Sequence, residues 1–290
     1  FDTLCVIEPE NPFGYFCMAF CYDYIMDEYR NLNFMEEFNK AANNAVKKAE
    51  ILEKKGNLTA ETFLWSGGAL GIRGVRRAMV GDWFGAFRDG LKAGSKLKNS
   101  IEIDSTLYDT YFGLGNYHYW KSVKSKTFWW LPFIGDERQK GINEIKLSIK
   151  KGKFTEIPGK TSLLRIYIEE KKYNEVFELA DEILKEYNFL NPLWFKGFAL
   201  IYTEDWQKAI DLYNEILKKL QEKYYHGIEG EIECLYFLAL CNYKLGNIKE
   251  AKKYLDFILP YKGKIETKIY FYENYIDSAE KLSKEINQSD

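Results

Sequence analysis

The chain has only two histidines in 290 residues, and neither His118 nor His226 has a His or Cys partner at ligand spacing. This removes the usual zinc sites and imidazole dyads, so neither a metal nor a cofactor is expected. Excess charge is missing too. Forty-one Lys and Arg meet 43 Asp and Glu, leaving −2, so no global field recruits nucleic acid or an acidic membrane. No run of 18 apolar residues exists to span a bilayer. The six prolines are scattered and no Gly/Ser or Pro tract marks a linker, which points to one continuous body over 1–290. Alternating apolar–polar runs of strand length are absent, so the chain reads as all-α. Of the five cysteines, at 5, 17, 21, 234 and 241, the pairs 17/21 and 234/241 each lie on one helical face among apolar neighbours. They read as free, buried thiols rather than a disulfide framework, which favours a reducing, cytoplasmic compartment. The chain begins at Phe1 rather than Met, so an upstream segment is expected, and it could have carried an export signal.

What is present is a helical packing code between Asn191 and Pro260. In a first helix–turn–helix unit, Leu193, Gly197 and Leu200 precede Ala209, Tyr213 and Ile216. In a second, Leu235, Ala239 and Asn242 precede Ala251, Leu255 and Ile258, with Gly246 in the turn and Pro260 at the close. Superposing Ala209 on Ala251 brings Gly197 onto Ala239 and Tyr213 onto Leu255. A small residue lets two helices approach and a large one fills the gap. The pattern resembles the tetratricopeptide repeat, a helical pair of 34 residues that stacks into arrays. Aromatics, at 17% of the chain, suit spacers between such layers.

The same offsets extend outward. The clearest repeats are 157–190, 191–223 and 228–260, and divergent ones fill 11–155 around an insertion at 121–136. A stripe of Ile265, Ile269, Tyr272, Ile276 and Ala279 predicts a capping helix over 265–286. The resemblance implies a right-handed all-α solenoid of about six helix–turn–helix pairs closed by that cap. The run Asp109 to Trp120, followed by Leu131-Pro132-Phe133, Gly135-Asp136 and Gly141-Ile142, is also similar to the divergent Tetratricopeptide-39/Iml2-like group and its bacterial relatives. In that group a Gly-rich helix leads into a Leu-Pro-Phe connector.

Catalytic signals do not assemble. Ser66 to Gly74 is rich in glycine, but no strand precedes it and the spacing departs from G-x-G-x-x-G. Gly90 to Lys96 is one residue short of a Walker A loop and sits inside an amphipathic helix, so both stretches read as close helix packing. Neighbouring carboxylates such as Glu36-Glu37 and Glu169-Glu170 point about 100° apart on a helix, and no GxSxG elbow occurs. A non-enzymatic role is expected. Any catalytic pocket would have to form around Arg73, Arg77 and His118.

The repeat's groove-facing positions, carried over from the resemblance, are Phe112, Asn116, Tyr119, Trp120, Arg165, Glu169, Trp194, Phe198, Tyr202, Tyr236, Tyr243 and Lys244. Rings beside Asn, Arg and Lys suit an extended peptide, burying apolar side chains while polar groups fix its backbone. The expected function is a scaffold or adaptor that binds a protein or peptide and not nucleic acid. The alternative is a small-molecule or lipid carrier using the aromatic groove. The insertion's Phe128 to Phe133 either plugs a gap in the array or touches a partner or membrane.

Overall fold

The computed structural model describes residues 1–127, 135–222, 227–265 and 274–289. Among them are fourteen α-helices and no strand: α1 (Asp2–Ile7), α2 (Pro12–Glu28), α3 (Met35–Lys54), α4 (Ala60–Met79), α5 (Trp83–Ile103), α6 (Thr110–Thr127), α7 (Arg138–Lys151), α8 (Glu156–Glu169), α9 (Tyr173–Glu186), α10 (Asn191–Tyr202), α11 (Trp206–Gln221), α12 (Ile228–Lys244), α13 (Ile248–Ile258) and α14 (Tyr275–Ser289). The architecture is an all-α helical repeat. Where the sequence reads as one body, the helices divide into two compact units. The first comprises Phe1–Tyr24, Phe34–Ala78 and Asp82–Leu163, and the second Ile25–Asn33, Met79–Gly81 and Leu164–Asp290. The end of α2, and Met79–Gly81 at the end of α4 and just after it, belong with the C-terminal repeats.

The first unit is built around small residues. Helix α3 buries Phe38, Ala41, Ala42, Ala45, Val46 and Ala49, the three- and four-residue spacing of an amphipathic helix. Ala45 and Val46 meet Ala69, Leu70 and Ala93 of α4 and α5. At Gly115 and Gly141 the α6 and α7 backbones meet, and a Cβ on either residue would lie 2.5 Å from the other's carbonyl oxygen. The glycine-rich runs of α4 and α5 are likewise helix interior, and a Cβ on Gly67 would strike Leu97 at 2.8 Å.

The second unit keeps the small–large code. A Cβ on Gly197 would come 2.7 Å from the Tyr213 hydroxyl, so the glycine is the slot that the tyrosine fills. Ala209, Tyr213 and Ile216 of α11 share one core with Leu235, Leu238 and Ala239 of α12 and with Ala251, Leu255 and Ile258 of α13.

One closure recurs at helix ends. Residues with φ of 53° to 84° stand at Arg30, Gly56, Gly81, Lys171, Glu204 and Gly246. After each, the next N–H donates to the carbonyl five residues earlier, as Asn31 does to Met26, Asp205 to Leu200 and Asn247 to Asn242. This is the Schellman closure, which glycine enters without strain and other residues enter at a cost. Lys171, Glu204 and Gly246 occupy the same register, each five residues before Val176, Ala209 or Ala251.

Several boundaries differ from the sequence reading. Helix α6 starts at Thr110, after a turn in which Asp104 accepts from the Thr106 N–H and hydroxyl. It runs on to Thr127, so the insertion at 121–136 begins as helix; Phe128 to Phe133 lie outside the described residues. The capping helix starts at Tyr275, not 265. Asn274 sets the start: its side chain accepts from the Asp277 N–H and donates to the Asp277 carboxylate. Ile265 lies in a bend, and Ile269 and Tyr272 are outside the described residues. Cys21 is exposed rather than buried, whereas Cys234 and Cys241 are buried; all five thiols are free.

Candidate functional site

In the repeat register the expected groove residues of the second unit fall into rows. Trp194 and Tyr236 are equivalent, as are Arg165 and Phe198, and as are Glu169, Tyr202 and Lys244. Trp194, Arg165 and Phe198 of the first two rows meet a segment of the chain itself.

That segment is the end of α2 and the turn after it. Helix α10 has no side-chain cap of its own at Leu190. Glu28 supplies one: its carboxylate accepts the N–H groups of Leu190 and of Asn191, the latter at 3.0 Å. These are amides that a helix start leaves without intrahelical acceptors, at the positive end of its dipole. Burial pushes the Glu28 carboxyl above its ordinary range, although the two N–H groups and Arg30 pull it down. Trp194 donates from its indole to the Glu28 carbonyl at 3.1 Å. Arg165 reaches Asp27 at 3.0 Å.

Arg30 is the next residue to enter. Held at φ 53° by the closure of α2, it places its guanidinium 5.1 Å from the Trp194 ring centre and 5.9 Å from that of Phe198. Its Nε lies 3.8 Å from Glu233 of α12, and both side chains are buried. Burial raises the Glu233 carboxyl to about 7, while Arg30 and a hydrogen bond with Tyr275 act in the opposite sense. Around this pair, Phe237 meets Phe198, Tyr213, Tyr236 and Tyr275 at centroid distances of 4.7 to 5.9 Å. Gly230 completes the seat, since a Cβ there would be 2.8 Å from the Tyr29 carbonyl.

Trp194 therefore belongs to the core and not to an open wall: its ring is fully buried and its N–H is committed. The third row stays at the surface. Glu169 and Lys244 are exposed, and Tyr202 is 60% exposed while stacking on Tyr173 at 5.6 Å. Tyr243 is half-buried and donates to Glu285, with the Lys244 ammonium 5.7 Å from its ring centre.

In the first unit, Tyr119 is fully buried beside Gly141, so it too is a packing residue, with Trp120 edge-on to it at 5.0 Å. Phe112 is half-buried. Asn116 donates to the Phe112 carbonyl and accepts from Ser162 at 2.6 Å. His118 is buried and bridges Glu144 at 2.6 Å and Lys140 at 3.3 Å. Arg73 and Arg77 both hold the buried Asp89, at 2.7 and 2.8 Å. Arg73 and Arg77 are thus engaged with a carboxylate of their own unit, and His118 with Glu144. Among the described residues no group of three or more His, Cys, Asp or Glu could hold a metal ion, and no helix is long and apolar enough to cross a membrane.

The sequence reading missed Glu28, Arg30 and Glu233. The only local trace was a charged Asp27-Glu28-Tyr29-Arg30 run at a helix end, which ordinarily reads as solvated.

Comparison with known proteins places α12, α13 and the turn after them in a family context. Residues 232–262 match the model of the Fis1 C-terminal tetratricopeptide repeat. Two solved structures are similar at 16% identity: a monomeric mutant of IFIT1 with Gppp-AAAA, TM-score 0.42, and another with m7Gppp-AAAA in the anti conformation of the cap, TM-score 0.41. Each alignment covers 88% of this chain and 65% of the other, so this chain spans under two thirds of their length. No curated protein matches the chain.

Proposed function

We propose that this tetratricopeptide-repeat protein is a non-catalytic scaffold whose second unit binds a protein or peptide partner. One observation carries the reading. The first helices of successive repeats, α8, α10 and α12, already grip a stretch of polypeptide, residues 27–31. They do so with an arginine on a carboxylate, an indole on a carbonyl, a helix start on a carboxylate and two rings over a guanidinium. That is the chemistry a peptide partner requires. Because residues 27–31 already engage Trp194, Arg165 and Phe198 of the first two rows, the partner meets the third, where Glu169, Tyr202 and Lys244 present an acid, a ring and a cation at equivalent places of three consecutive repeats.

The test compares the intact chain with a Glu169→Lys/Tyr202→Ala/Lys244→Glu variant in affinity capture from the native cell lysate. All three positions are exposed, so melting temperatures should agree. A protein retained by the intact chain and lost from the variant is the expected result. Equal retention by both would move the partner off this row. If no protein is retained and native mass spectrometry finds a bound small molecule, the scaffold reading fails in favour of a carrier.

A further inference from the structure

Two glycines bring a histidine into reach of a lysine. Where α6 and α7 close on each other at Gly115 and Gly141, His118 stands one turn beyond Gly115, and Lys140 and Glu144 flank Gly141. Lys140 and Glu144 are four residues apart on α7, so they project from neighbouring turns of one face. The His118 ring fits between them and uses both nitrogens. Its Nδ1 lies 2.6 Å from the Glu144 carboxylate, and its Nε2 lies 3.3 Å from the Lys140 ammonium. An ammonium can only donate, so Nε2 accepts, which assigns the ring proton to Nδ1 and directs it at Glu144. The imidazole is buried, whereas the Lys140 side chain is 52% exposed and open to a reagent from solvent. Glu137 also accepts from Lys140, at 3.3 Å, and from Lys121, at 3.4 Å.

We propose that Lys140 is an acylation site, whose amine takes an acyl group from a small acyl thioester with His118 as the base. A carboxylate on one imidazole nitrogen and a nucleophile's proton on the other is the arrangement by which a histidine activates a nucleophile. The Lys140 ammonium first gives one proton to solvent. The free amine then attacks, joining its nitrogen to the acyl carbon and leaving a surplus proton on that nitrogen. His118 Nε2 takes this proton, and Glu144 stabilises the imidazolium. The carbon–sulfur bond breaks, its electron pair departs on the thiolate, and the imidazolium returns the proton to sulfur. Glu137 holds the ammonium and so opposes the first step, while His118 assists the later ones. Thioesters are the fitting class, because amines displace thiolates readily and ordinary esters resist. One acyl group is taken per chain, so the scaffold stays non-catalytic.

The experiment incubates the full 290-residue chain with acetyl-coenzyme A and follows each lysine by peptide-mapping mass spectrometry. Lys208 is the internal reference, since it is exposed too but pairs with Asp205 at 2.6 Å. Lys140 should acetylate about 100-fold faster than Lys208, the lower reach of general-base assistance. His118→Gln should bring Lys140 down to the Lys208 rate. Glu144→Gln, which lets the ring carry its proton on Nε2, should remove most of the advantage while keeping the imidazole in place. Glu137→Gln should raise the Lys140 rate. Melting temperatures establish that each variant is folded, and if His118→Gln is not, Glu144→Gln decides. The proposal is overturned if Lys140 and Lys208 react equally fast in the parent, or if a folded His118→Gln or Glu144→Gln keeps the parent rate. It is also overturned if Glu137→Gln slows Lys140 as much as they do, which would make local order rather than the imidazole the source of reactivity.

Discussion

The two units solve the same packing problem differently. In the first, backbones approach through glycine against glycine or glycine against side chain, as at Gly115–Gly141 and Gly67–Leu97. In the second, Gly197 faces the Tyr213 ring, and the same small and large positions recur as Ala239 and Leu255 in the next repeat. The second solution leaves a periodic signature and the first does not. The family match covers 232–262, within the second unit. The second unit also holds an ion pair buried on both sides, Arg30–Glu233, whereas in the first the buried Asp89 is held by Arg73 and Arg77 that keep part of their side chains in solvent.

The sharpest break in the comparison targets that pair. Above about pH 8, where the Glu233 carboxyl is ionised, Glu233→Ala leaves the Arg30 guanidinium buried without its counter-charge, and should cost about 3–5 kcal/mol in urea unfolding. The pair also gives the second unit a pH response. Burial holds the Glu233 carboxyl at about 7 against an ordinary 4.5, so the folded state binds this proton more tightly than the unfolded chain. Its stabilising share is complete below about pH 4.5 and is lost as pH rises toward 7. The slope approaches 1.4 kcal/mol per pH unit between those values. A stability–pH series should therefore decline over that window, and Glu233→Gln should flatten the decline.

Next in size are the two kinds of small residue. Gly115→Val drives a side chain into a backbone carbonyl that no rotamer can move, and should cost about 3 kcal/mol. Gly197→Ala meets the Tyr213 ring instead and should cost about 1–3 kcal/mol. Tyr213→Leu in the same chain should recover part of that loss, because the slot and its filler are one unit. No second-site change of that kind is expected to restore Gly115→Val. Equal rescue in both units would erase the distinction drawn between them.

The smallest effect concerns the turns. Glu204 and Lys171 hold left-handed backbone where Gly246 does the same without strain. Glu204→Gly should stabilise by about 0.5–1 kcal/mol, net of the greater freedom glycine has when unfolded. Gly246→Glu should destabilise by a similar amount.

Much of this was readable in advance. Helix type, the offsets from Gly197 to Ile258 and the turn at Gly246 follow from local spacing, and the glycine runs lie inside α4 and α5 as close helix packing. What escaped depends on distance along the chain. Nothing local to Glu28 or Arg30 signals that their partners are Asn191 and Glu233. Trp194 and Tyr119 read as groove residues because periodicity assigns a helix face without saying what covers it. The start of α14 was lost for another reason: an apolar stripe has no beginning, whereas the Asn274–Asp277 cap does.

The seating of residues 27–31 sets a timetable for folding. Stacked repeats ordinarily fold on contacts between neighbours, which keeps loop closure short. Here the Glu28 cap on α10 closes across 163 residues and the Arg165–Asp27 bond across 138. During synthesis the segment is made early and must wait through five further helices, α3 to α7, before α8 and α10 exist to receive it. Contact order is concentrated in a few side chains, so the second unit should complete its structure in a late step that the ordering of its own hairpins does not govern. A chain beginning after Asn33 would form those hairpins yet leave α10 uncapped and Glu233 alone in the core.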